Sequence, residues 1–232
     1  SGSLLAQAVN EANPVLRFRE NRDVLISRGH NFALAVNKHV NNFGFVNDQR
    51  YDPKNKTPLM AIIGDSYVEA TQVENRHTMH GLLSAAVATR GRVYSFGVSG
   101  APLSTYLAYA KYARETFSPD SIVLIVVGND FDESISTYKF TPGLHFFVPN
   151  GSSFDLKRVD YTPTYFQMWA RESALCRYLV LNLQLKFSAI GSLFLRNAVA
   201  AEGAEFVGNT RAATGERRVA DSKAAVDEFF RR

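Results

Sequence analysis

The sequence predicts an α/β domain of three layers, with helices on both faces of a central parallel sheet. Three observations carry that prediction. Short apolar runs at 59–63, 92–96 and 121–127 each close on a glycine-containing polar turn. The stretches between them repeat apolar residues at helical spacing. The alternation strand, helix, strand, helix, strand forces crossover connections, which build parallel sheets covered on both sides. A chain of 232 residues with 46% hydrophobic content is long enough for one sizeable core.

Residues 1–58 read as a polar, irregular lead-in that packs on the main domain, residues 59–232. Leu59-Met60-Ala61-Ile62-Ile63 is too short for a helix and fits a strand buried on both faces. From Glu74 to Thr89, Met79, Leu82, Leu83, Ala86 and Val87 recur at helical spacing, and Gly91 stands where a C-cap glycine is expected. Arg92 to Phe96 forms the second strand. Pro102 opens a helix to Phe117 with Leu103, Leu107, Ala110 and Ala113 on one stripe. Ser121 to Val127 reads as the plainest buried strand. An insertion at about 134–161 carries a lid-like hairpin turning at Pro149-Asn150-Gly151-Ser152. Tyr165 to Phe194 reads as an apolar, aromatic helix whose Tyr165, Phe166, Trp169 and Tyr178 pack in a core. Gly215 to Phe230 is a last amphipathic helix with Val219, Ala220, Ala224, Val226, Phe229 and Phe230 on its apolar side.

Composition narrows the function classes. The net charge of +4 is spread along the chain, which argues against nucleic acid as a partner. No apolar run approaches the roughly 18 residues of a membrane span. The single cysteine, Cys176, excludes an internal disulfide. Ser1-Gly2-Ser3 looks like the scar of a cleaved tag, so a signal peptide or membrane anchor is expected upstream.

Ligands of parallel sheets sit beyond the carboxyl ends of the strands, and the three polar turns all fall on that edge. The first, Gly64-Asp65-Ser66, places a hydroxyl after a buried strand and at a helix start, where free backbone N–H groups and the helix dipole favour developing negative charge. The second is Gly97-Val98-Ser99-Gly100 and the third is Gly128-Asn129-Asp130. Acyl transfer needs a nucleophile on a tight turn, donors aimed at the oxyanion, and a base. The turns supply the first two.

This ordered set resembles the SGNH (GDSL-type) hydrolase family across Leu59 to Asp132, with Glu69-Ala70 following its first block and Asn42-Phe43-Gly44-Phe45 like the lead-in of bacterial members. The resemblance implies a flavodoxin-like α/β/α fold, Ser66 as nucleophile, and the Ser66 and Gly100 N–H groups with the Asn129 amide as oxyanion donors. Asp65, Asp130 and Asp132 are weaker candidates for contacting substrate or, for the last two, for holding turns. No cofactor or metal is implied. The sequence departs from the family at Ser95, where many relatives carry Asn, and at its end. The family's Asp-x-x-His block has no counterpart here, so the histidine is expected beyond Arg232 and residues 1–232 alone are expected to be nearly inert.

Other residues read as bystanders. Ser99 misses the nucleophile-elbow pattern because Ala101 replaces its second glycine. His77 and His80 belong to a solvated helix face, and His145 to the lid. The implied activity is ester hydrolysis, with a small-molecule or glycan ester as substrate, in an extracytoplasmic bacterial protein. The alternatives are O-acetyl transfer on the same fold and a non-catalytic glycan- or partner-binding domain.

Overall fold

A computed structural model describes residues 4–151, 153–183 and 215–232. The tag-like first three residues and the part of the expected aromatic helix beyond Leu183 lie outside the described residues. The elements are β1 (Arg22–Arg28), β2 (Leu34–Val40), β3 (Leu59–Gly64), α1 (Ser66–Glu69), α2 (Met79–Val87), β4 (Arg92–Gly97), α3 (Leu103–Phe117), β5 (Ser121–Ile125), β6 (His145–Asn150), β7 (Ser153–Arg158), α4 (Tyr165–Glu172), α5 (Ala174–Arg177) and α6 (Glu216–Arg231). The chain is mixed α/β, built on a parallel three-stranded sheet in the order β4-β3-β5.

That order puts the first strand of the sheet in the centre. Alternation of side chains then divides its contacts between two clusters. Ile62 and Val93 face Val68, Leu83 and Val87 of α1 and α2. Ala61, Ile63, Tyr94 and Phe96 face Tyr106, Tyr109, Ala113 and Phe117 of α3. The stripe that α3 buries is therefore mostly aromatic, and Leu107 and Ala110 lie at its margin. β5 is an edge strand, with Ile122 38% exposed, rather than the fully buried strand its apolar run suggested. No described strand pairs with its outer side.

The lead-in is not irregular throughout. β1 and β2 form an antiparallel hairpin whose Val24, Ile26 and Val40 close a small core with Leu4 and Val46. Its alternation was masked by Lys38, which points inward and donates to the Val73 carbonyl at 2.8 Å, and by Leu25, which is exposed. Farther on, Asn47 and Tyr51 anchor the lead-in to β4. The Tyr51 hydroxyl donates to the Ser95 carbonyl at 2.8 Å and accepts from the Ser95 N–H, and Asn47 Nδ2 donates to Ser95 Oγ at 3.1 Å. Ser95 thus takes its supporting hydrogen bond from upstream.

Five local expectations are corrected. Gly91 is extended, and the left-side φ at the end of α2 falls on Ala88 instead, at +43°. Two short 3₁₀ turns flank α2 in place of one long helix. The hairpin β6-β7 is no lid: Phe146 and Phe147 sit in the main core, and the Ser104 and Thr105 hydroxyls of α3 both donate to the His145 carbonyl. On α4 no residue is buried, and Tyr165 and Trp169 are exposed rather than core. On α6 the inward residues are Ala225, Glu228 and Phe229, while Phe230 is exposed. No helix among the described residues is long and apolar enough to cross a membrane.

Ala70 ends α1 in the left-handed region, at φ 44° and ψ 50°. That conformation costs an L-residue about 1–2 kcal/mol, against the roughly 0.4–1 kcal/mol of unfolded-chain entropy that alanine saves over glycine. Ala70→Gly is expected to raise stability by about 0.5–1 kcal/mol, read as a higher urea midpoint at unchanged slope.

Candidate functional site

Gly64 of β3 is the register partner of Gly97 in β4 and of Ile125 in β5. Parallel strands in register end together, so the segments that follow leave the sheet at one edge. Each carries one of the three polar turns.

The first turn is set by Asp65, which N-caps α1 by accepting the Tyr67 N–H at 2.9 Å. Ser66 follows, half-buried, its Oγ 3.4 Å from Asp65 Oδ2. Burial raises the Asp65 pKa, with the Tyr67 and Ser66 bonds opposing. α1 is a single turn, so the helix dipole expected behind Ser66 is slight and the local N–H groups carry any stabilisation of charge.

The second turn lies against the first. A Cβ on Gly97 would stand 2.3 Å from Glu69 N and 2.7 Å from the Val68 carbonyl carbon, so only glycine lets α1 settle on the end of β4. Ser99 N–H donates to Glu69 Oε2 at 3.1 Å, and Ser99 Oγ donates to the same oxygen. Gly100 takes φ +77° and is exposed, and among the described residues the only atom near its Cβ position is Lys139 Nζ at 3.7 Å. Lys139 is itself paired with Glu133.

The third turn is a 3₁₀ segment, Gly128–Asp130, with Asn129 half-buried. Asp130 is buried and accepts the Tyr106 hydroxyl at 2.7 Å and the Val127 N–H at 3.0 Å on one oxygen. The Tyr106 bond ties the third turn to α3. Burial pushes the Asp130 pKa up to about 7; the Val127 and Tyr106 bonds oppose it, and the negative charges of Asp65 and Glu133 add to it. Asp132 is buried against Arg218 of α6 at 2.7 Å, with that guanidinium over the Tyr138 ring.

None of the chain's five histidines is hydrogen-bonded to Ser66. His39 pairs with Asp23 at 2.7 Å and His77 faces Glu74 at 4.0 Å. His30 is exposed. His80, expected on a solvated face, is 1% exposed and pairs through Nε2 with Asn75 Oδ1, while His145 is buried with Nδ1 unpartnered. Desolvation brings each of these two down to about 4, so both stay neutral near pH 7. Among the described residues no group of three His, Cys, Asp or Glu side chains is placed to hold a metal ion.

Two participants were not foreseen from the sequence. Glu69 stood in the sequence as the residue that follows the first block, one helical turn beyond Ser66, with no role assigned to it. Tyr106 carried no hint, because its hydroxyl matters only once α3 lies across the sheet.

Comparison of the chain with protein-family models, with curated proteins and with solved structures found no match.

Proposed function

We propose that this protein is a serine ester hydrolase of the SGNH class, on the three-layer fold that class uses, acting through an acyl-Ser66 intermediate on an O-acyl group of a glycan or small alcohol. The observation that carries the reading is the common register of Gly64, Gly97 and Ile125, which sends the Ser66, Gly100 and Asn129 turns off one edge. The Glu69–Ser99 bond, which joins the first two turns, and the Tyr106–Asp130 bond, which holds the third turn to α3, support it.

In this reaction Ser66 Oγ attacks the ester carbonyl carbon as its proton passes to an imidazole. The carbonyl oxygen becomes an oxyanion, met by the Ser66 and Gly100 N–H groups and the Asn129 amide. Collapse breaks the ester C–O bond, and the alcohol departs with the imidazole's proton. Water, activated by the same base, then frees Ser66. No histidine of residues 1–232 is bonded to Ser66, and in this reading the imidazole is supplied by a histidine beyond Arg232. That same observation favours a second reading, a non-catalytic domain that binds acylated glycans at this edge.

One experiment separates the two. A fluorophosphonate probe and p-nitrophenyl acetate are applied to residues 1–232 and to a chain continued along its natural sequence past Arg232, each with a Ser66→Ala companion. Labelling at Ser66 with turnover in the longer chain, both lost in Ser66→Ala, is the expected result. Equal labelling of the serine and alanine forms removes Ser66 from its role. Binding of acylated glycan with no turnover in either length selects the second reading.

A further inference from the structure

Gly100 is weakly held for a residue asked to aim a donor. It is exposed, it sits in the left-handed region, and no backbone or apolar atom of the described residues crowds it. The firm hold on its turn is one residue earlier, where Glu69 Oε2 receives both the N–H and the hydroxyl of Ser99. Glu69 is in turn rigid with respect to Ser66. The two bracket the single turn of α1, whose Val68 and Glu69 N–H groups donate to the Asp65 carbonyl at 3.2 and 3.0 Å, and the missing Cβ of Gly97 brings the Glu69 backbone onto the end of β4.

We propose that Glu69 is a positioning residue, which by gripping Ser99 sets the Gly100 N–H at a fixed offset from Ser66 Oγ. The inference rests on the ester-hydrolase reading and deepens it. Glu69 is 2% exposed and its Oε1 is buried with no partner among the described residues, an arrangement that burdens the fold, since a carboxylate oxygen stripped of water and left unpaired is costly. An apolar side chain would serve packing better. What the carboxylate contributes is an acceptor strong enough to hold two donors of one residue on a single oxygen. Among the described residues, the groups that act on it are Lys38 of β2, whose ammonium is turned to the Val73 carbonyl, and Tyr109 of α3, whose hydroxyl donates to the Leu16 carbonyl, so neither competes for Oε2.

The test uses the longer chain described above, with p-nitrophenyl acetate, and three variants. Glu69→Gln weakens the acceptor, Ser99→Ala removes one of its two donors, and Ser99→Thr keeps both. If the grip aims Gly100, Glu69→Gln and Ser99→Ala lower kcat about 10- to 100-fold, the scale of a small misplacement at a reacting centre, with KM within a factor of about 2 and non-additive effects in the double variant. Ser99→Thr restores most of kcat. Turnover in Glu69→Gln and Ser99→Ala equal to the parent's overturns the inference while leaving Ser66 in place. If Glu69→Gln does not fold, Ser99→Ala decides, because Ser99 is exposed.

A parent with no Ser66-dependent turnover sinks the ester-hydrolase reading instead, and with it the catalytic part of this inference. The grip is then judged on residues 1–232 by amide NMR. Unmoved Ser99 and Gly100 amide signals in Glu69→Gln overturn it as well, and shifted signals with faster solvent exchange uphold the grip alone.

Discussion

Gly97→Ala is expected to cost about 3 kcal/mol, at the upper end of the range for forcing extra atoms into a packed interior. The new methyl would stand 2.3 Å from Glu69 N and 2.7 Å from the Val68 carbonyl carbon, and both obstacles are backbone rather than the far end of a flexible side chain. Ordinary contact therefore requires α1 to lift by about 1 Å. Val68 would leave the cluster it shares with Ile62 and Val93, and Glu69 would be drawn from Ser99. Set against a total stability of roughly 5–15 kcal/mol, such a loss is severe. Urea denaturation followed by circular dichroism measures it. Gly215→Ala is the companion, because a Cβ at Gly215 meets nothing within 4 Å among the described residues, and its effect is expected to stay within about 1 kcal/mol. A Gly97→Ala midpoint as close to the parent's as that of Gly215→Ala would mean that α1 does not lie where the structure has it.

The second large effect is one of pH. Asp130 has a native pKa raised to about 7 from the ordinary 3.8, chiefly by burial. Between those two values the native chain keeps a proton that the unfolded chain has released. Stability contributed by this group is therefore present at low pH, is lost as pH rises from about 4 to about 7, and stays lost above that. A shift of roughly 3 units corresponds to at most about 4 kcal/mol. Asp130→Asn retains an acceptor for the Tyr106 hydroxyl and the Val127 N–H but carries no charge. It is expected to match the parent near pH 4 and to exceed it by up to about 4 kcal/mol at pH 8. His80 and His145 work in the opposite sense: with native values near 4 they favour the folded state above pH 6.5, and that contribution is lost as pH falls through 4. They are common to both proteins and cancel in the difference. Denaturation at half-unit pH steps decides the matter, and parallel curves for parent and variant would show that the Asp130 proton is not coupled to folding.

Legibility in the sequence followed the range of the interactions. β3 was visible because a central strand is apolar at every position, and β3 and β4 alike because each stops at a glycine turn within its own segment. The placement of α3 between Pro102 and Phe117 was visible for the same local reason. The β1-β2 hairpin was not, since an inward Lys38 that satisfies itself on the Val73 carbonyl breaks the apolar alternation. β5 looked buried because an apolar run does not reveal whether a neighbouring strand will lie beside it. His80 looked solvated because polarity is a poor guide once Asn75 stands ready to receive a ring nitrogen.

The residues of the proposed site, Ser66, Gly100 and Asn129, were all named by their turns, since a glycine-polar break after an apolar run is a property of a few consecutive residues. By itself the sequence determined the α/β class and the parallel strands with their three turns. The tertiary structure alone decided how the turns are held. Glu69 and Ser99 are 30 residues apart, and Tyr106 and Asp130 are 24 apart. Each pair meets only because crossover helices return the chain to the same sheet edge, and a hydrogen bond closed over that distance leaves no periodicity or spacing in the sequence.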